Sequence, residues 1–66
     1  MGQNDFFDKK YKQIRNEIKT LDVISPAVLQ RKFEIGYVNA NIAIQRLLAE
    51  DLIIPMVEDY KYQVVK

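Results

Sequence analysis

The amino-acid sequence predicts a small α+β domain made of a helix, a short strand, a helix-turn-helix and a C-terminal β-hairpin. Three observations predict it. Phe7, Tyr11, Ile14 and Ile18 recur at helical spacing. Ser25-Pro26 and Gly36 punctuate the middle of the chain into two further helices. Two short runs rich in β-branched residues, Leu52-Ile53-Ile54 and Lys61-Tyr62-Gln63-Val64-Val65, close the chain. At 66 residues, 48% hydrophobic and 29% charged, the composition is that of one ordinary globular domain.

Each element has its own signal. Residues 1–4 read as a flexible N-terminus and residues 5–66 as the folded domain. The first helix is expected over Asp5–Lys19, with Asp5 or Asp8 as its cap, because a carboxylate there accepts from unpaired N–H groups. Its apolar stripe is spaced four, three and four, and Lys9, Lys12, Asn16 and Lys19 fall on the opposite face. Leu21, Val23 and Ile24 form a brief β-branched patch, read as a short strand. Ser25 is then an N-cap and Pro26 the first residue of a second helix running to about Phe33, which buries Leu29 and Phe33. Gly36 is expected to supply a positive φ between two helices. The third helix spans Tyr37 to about Glu50, with Ala40, Ile44, Leu47 and Leu48 inward. Two helices joined by about three residues make a helix-turn-helix. Glu58-Asp59 reads as the turn of the hairpin, and Pro55 suits an edge or irregular position. This order of elements is that of a winged helix.

What the chain lacks narrows its chemistry. There is no cysteine, histidine or tryptophan, and only two glycines. A disulfide framework, zinc fingers, haem sites and Cys/His catalysis are therefore excluded. Glycines as far apart as Gly2 and Gly36 cannot build a phosphate-cradling loop. Carboxylates such as Asp22, Glu50 and Asp51 show no pairing with another catalytic group, so no enzyme, cofactor, metal or small-molecule substrate is expected. The run Leu52–Val57 is broken by Pro55 and too short to span a bilayer. No signal-peptide stretch opens the chain, and Phe6 stands where a myristoylation signal needs Ser or Thr, so the expected location is cytoplasmic, with no membrane partner.

The net charge of +1 is unevenly spread. Lys9, Lys10, Lys12, Arg15, Lys19, Arg31 and Lys32 face only Glu17 and Asp22 within residues 9–32, a local charge of +5 against −4 for the rest. Such a segment is either an electrostatic footprint for a polyanion or a solvated helix face.

From Ser25 to Tyr37 the sequence becomes specific. Gln30-Arg31-Lys32, Ile35-Gly36-Tyr37 and the continuation through Ala40 to Ile44 resemble, at matching spacing, the γ domain of the FtsK/SpoIIIE-type bacterial DNA translocases. The resemblance is specific over residues 25–44 and loose over 5–66. It implies a winged helix that binds short polar sequences in double-stranded DNA and contacts the recombinase acting at the chromosome dimer-resolution site. It implies no motor, since the ATPase and the membrane anchor of those proteins lie outside this domain. A bacterial, phage or plasmid setting follows from the same likeness. The departures bear on sequence preference. Val38-Asn39 stands where the family has Asn-Arg, Ile42 where it often has a basic residue, and Gln45 where an acid is common. Arginine reads guanine through O6 and N7, which asparagine and isoleucine do not reproduce.

The candidate DNA-binding residues follow from these readings. On the third helix, Asn39 or Gln45 could pair with adenine, Val38 or Ile42 could touch a thymine methyl, Arg46 could hold a phosphate or a guanine, and Asn41 shares the face. Gln30, Arg31 and Lys32 would approach the phosphate backbone, or else form a solvated helix end. Tyr37 either packs beneath the turn, the preferred reading, or reaches a phosphate with its hydroxyl. Lys61, between Tyr60 and Tyr62, would contact DNA from the wing, although Glu58 and Asp59 would repel phosphates there. The competing reading keeps the fold and makes the Val38/Ile42 pair a protein contact, with a second copy as a homodimer or with another protein.

Overall fold

The computed structural model of the protein describes residues 2–58 and 60–66. Its elements, in chain order, are α1 (Gly2–Glu17), a 3₁₀ turn (Ile18–Thr20), β1 (Val23–Ile24), α2 (Pro26–Phe33), α3 (Tyr37–Ala49), β2 (Ile53–Pro55) and β3 (Tyr62–Val64). Among the described residues the molecule is thus an α+β fold of three α-helices and one antiparallel sheet, with strand order β1-β3-β2.

The helix stripe of α1 is the one its spacing predicts. Tyr11, Ile14 and Ile18 are buried and Phe7 packs against them. The start of the helix is not where the sequence suggests. It begins at Gly2, ahead of both Asp5 and Asp8, so neither aspartate is its N-cap; Asp8, in the second turn, instead reaches sideways to Arg46, at 3.4 Å. Of the expected flexible stretch, residues 2–4 are helical and Met1 lies outside the described residues. The helix tightens into 3₁₀ geometry before Lys19, where Leu21 N–H donates to the Ile18 carbonyl at 2.9 Å and Thr20 Oγ1 donates to that of Glu17 at 2.8 Å. These bonds satisfy carbonyls that the end of a helix leaves open.

At α2, Ser25 caps as expected, its Oγ accepting from Val28 N–H at 3.2 Å, with Pro26 opening the helix. The turn that follows corrects the role expected of Gly36. The left-handed residue is Glu34 (φ 54, ψ 47), whereas Gly36 is extended (φ −74, ψ 168) and serves as the N-cap of α3. A helix is commonly ended by its C-cap neighbour in the left-handed region; here that reversal falls two residues before the glycine. Lys10 Nζ, reaching over from α1, donates to the Phe33 carbonyl at 3.0 Å and closes the same helix end. At the far end of α3, Asp51 (φ 59) takes the left-handed position. Asp51 N–H donates to Leu48 O and Leu52 N–H to Leu47 O, each at 3.0 Å, the bond pair of a Schellman motif.

The sheet covers the core from below. Ile24, Ile53 and Val64 point inward and are buried, while Val23, Gln63 and Ile54, joined across the strands by Val23↔Gln63 and Ile54↔Gln63, face outward. Pro55 ends β2, an edge strand, where its missing N–H costs no ladder bond. Met56 N–H donates to the Lys61 carbonyl at 3.1 Å and closes the hairpin loop. The expected Glu58-Asp59 turn falls in this loop, but Asp59 lies outside the described residues. Ala40, Ala43, Ile44 and Leu47 of α3 meet Leu29 and Phe33 of α2 and Ile14 of α1 at the centre. The two alanines leave room for a close helix approach.

Candidate nucleic-acid interface

The buried stripe of α3 fixes what the helix shows to the outside. With Ala40, Ala43, Ile44 and Leu47 turned inward, the opposite side carries Val38, Ile42, Gln45 and Ala49. Val38 is 69% exposed and Ile42 43%. Asn41 borders this stripe and its Nδ2 donates to the Tyr37 carbonyl at 3.1 Å. Gln45 is exposed and has no side-chain partner among the described residues.

Tyr37 departs from its preferred reading. It is 62% exposed and its ring does not enter the core, where Phe33 and Ile35 fill the space beside the turn. It borders a shallow groove of about 380 Å³ lined also by Ser25, Pro26, Ala27, Gln30 and Tyr60. The groove thus joins the start of α2, the start of α3 and the hairpin loop. Of the candidate residues it brings together Gln30 and Tyr37. Tyr60, read in the sequence as part of the basic and aromatic wing with Lys61 and Tyr62, is exposed and held at φ 66.

Arg46 is turned away from the exposed stripe. Its guanidinium lies over the Phe7 ring at 5.1 Å and the Tyr11 ring at 5.3 Å, and Nη1 meets Asp8 Oδ1 at 3.4 Å. A second contact, Arg15 Nε to Glu50 Oε1 at 3.5 Å, joins α1 to the residue that caps the end of α3. The Tyr11 phenol is buried in this cluster without a well-formed hydrogen bond. Burial, and next the Glu50 carboxylate, push it above its ordinary value of 10.0, against the pull of Arg15 and Arg46. Arg46 therefore ties α3 to α1, as cation–π stacking and a charge pair allow. Asn39, half-buried, lies on the same side of the helix as Arg46, away from Val38.

The remaining cations divide. Arg31 is exposed on α2 with no ion-pair partner among the described residues. Lys32 Nζ lies 3.8 Å from Glu17 Oε1, and Lys61 Nζ lies 3.7 Å from Glu58 Oε2. Exposed pairs of this kind contribute little and open readily to a stronger anion. Away from the interface, the hydrogen bond from Lys66 Nζ, at 2.7 Å, holds the Asp22 carboxyl below the usual carboxylate range. No helix among the described residues is long and apolar enough to cross a membrane. No family model matches the chain, and no curated protein matches it.

Proposed function

We propose that the protein is a winged-helix module that binds duplex DNA, related in form to the γ domain of the FtsK/SpoIIIE-type translocases. The observation that carries the reading is the packing of α2 on the buried side of α3, which leaves the outer side of α3 bare from Tyr37 to Gln45. A major groove admits a helix presented in this way. Arg31 and Gln30 on α2 would then lie along the phosphate backbone, with the hairpin as the flanking wing. The module has no catalytic step and needs no cofactor.

The test is binding of the whole chain to random-sequence duplex DNA at several low salt concentrations. Affinity is expected to fall with salt through counterion release, and Arg31→Ala to weaken binding to all sequences about equally, flattening the slope of log K against log salt by about one. Absence of salt-dependent binding sinks the reading.

One observation favours a second reading. Val38, Ile42, Gln45 and Ala49 are spaced four, three and four with no charge among them, the pattern of a helix–helix seam. On that reading α3 pairs with a second copy of the chain. Sedimentation is then expected to show a dimer that Ile42→Glu splits; a monomer at every concentration removes this reading.

A further inference from the structure

Resting on the DNA-binding reading, we propose that α3 reads A·T base pairs in preference to G·C, having no cation on its outer face for the bidentate guanine contact, with Gln45 recognising adenine and Val38 and Ile42 recognising thymine methyls. The outer stripe of α3 holds no charged side chain: Val38, Ile42, Gln45 and Ala49 occupy it, with Asn41 at its border. Guanine is read by cationic side chains at O6 and N7, and cytosine by carboxylates at N4. The one cation within α3, Arg46, is held against Phe7, Tyr11 and Asp8 of α1 and does not face the groove side. What remains matches the other base pair. The Gln45 amide can accept from adenine N6 through its oxygen while donating to N7 through its nitrogen, and it has no competing side-chain partner among the described residues. Asn41 is the weaker reader, because its Nδ2 already donates to the Tyr37 carbonyl. Val38 and Ile42 present methyl groups at 69% and 43% exposure, where only an apolar surface such as a thymine C5-methyl can pair with them.

The spacing suits a short run of bases. Val38 to Gln45 spans about 10 Å of helix at 1.5 Å per residue, close to about three base-pair steps of 3.4 Å. Val38 and Ile42, about 6 Å apart along the helix, would touch thymines about two steps apart, and Gln45 an adenine about one step further on.

The experiment compares the whole chain on three duplexes of equal length at one low ionic strength: alternating A·T, alternating G·C, and A·T with every thymine replaced by uracil. The expected result is at least about tenfold tighter binding to A·T than to G·C, the lower range for one bidentate contact plus methyl contacts. Uracil replacement is expected to weaken binding several-fold, and Val38→Ala with Ile42→Ala to abolish that difference. Gln45→Ala, at an exposed position that leaves the helix content unchanged by circular dichroism, is expected to lose most of the A·T preference. Equal or G·C-favouring binding overturns the inference and leaves the DNA-binding reading standing. So does an A·T preference that survives both Gln45→Ala and uracil, since it would come from minor-groove width. No binding to any duplex overturns the DNA-binding reading, and this inference with it.

Discussion

The turn between α2 and α3 offers a test in which the sign of the effect decides. Glu34 occupies the left-handed region at φ 54, and Gly36 sits at φ −74, with nothing within 4 Å of a Cβ built on it. Two substitutions invert the natural arrangement: Glu34→Gly and Gly36→Ser. A left-handed conformation costs an L-residue about 1–2 kcal/mol, which glycine avoids. Glycine also gives the unfolded chain more freedom, costing about 0.5–1 kcal/mol, so Glu34→Gly is expected to stabilise by about 0.5–1 kcal/mol. At position 36, a side chain restricts the unfolded chain for a gain of about 0.4–1 kcal/mol. A serine there adds a few tenths as N-cap to α3, since the extended backbone suits a capping oxygen. Each variant should gain up to about 1 kcal/mol, or about 4–8 °C in Tm per kcal/mol for a domain of this size. Urea titration and thermal melting followed by circular dichroism measure both. Were Gly36 the left-handed residue, the signs would reverse, with Gly36→Ser losing about 1–2 kcal/mol. A fall in Tm for both variants therefore refutes the turn geometry described above.

Other consequences are direct. Leu47→Ala, at a fully buried position, is expected to cost about 2–5 kcal/mol and leave much of this small domain unfolded at 25 °C, whereas Ile42→Ala on the exposed stripe stays within about 0.5 kcal/mol; urea titration separates them. Arg46→Ala removes the stacking over Phe7 and Tyr11 and should cost about 1 kcal/mol of stability, while on the DNA-binding proposal the affinity of the folded protein for duplex should change less than about twofold. The folded-state pKa of Asp22 is lowered, so its contribution is present above the unfolded value of 3.8 and is lost as pH falls through the folded one; Asp22→Asn should blunt the acid end of a Tm–pH profile. The Tyr11 pKa is raised above 10.0, so its contribution is complete below that value and is lost as pH rises through the folded one; Tyr11→Phe should remove that alkaline loss.

Much of this fold is legible in the sequence where one local signal dominates. The stripe of α1, the Ser25-Pro26 start of α2 and the inward positions of α3 each follow from spacing or capping chemistry alone. The readings that fail are those where a tertiary partner decides. Asp8 looks like a cap until Arg46 claims it, and the helix runs back to Gly2, ahead of both aspartates. Glycine is the usual left-handed residue, but the Phe33 end of α2 is closed by Lys10 and the reversal falls on Glu34. Tyr37 looks like core because it is large, yet Ile35 reaches the space first. In the candidate interface, Val38, Ile42 and Gln45 can be read from helical spacing, whereas the direction of Arg46 depends on rings that approach from α1.

The same diversion changes what the charge count means. The basic segment of residues 9–32 is not one surface: Lys10 donates to the Phe33 carbonyl, Arg15 meets Glu50 and Lys32 meets Glu17. Beside the bare face of α3, Arg31 is the exposed cation without an ion-pair partner among the described residues, with Lys32 and Lys61 available only if their pairs open. Should α3 enter the major groove, two or three phosphates would be neutralised. Affinity would then fall about 10- to 40-fold between 50 and 200 mM salt, far less than for proteins with many phosphate contacts. Such weak anchoring would give uncharged base contacts an unusual share of the binding free energy. One copy would hold DNA weakly, and several copies linked together or assembled would gain through effective concentration what each lacks in charge. Linking two copies in tandem should raise affinity for a repeated site by at least about a hundredfold if this balance is right. An unlinked chain that already binds at nanomolar Kd in 150 mM salt would contradict it.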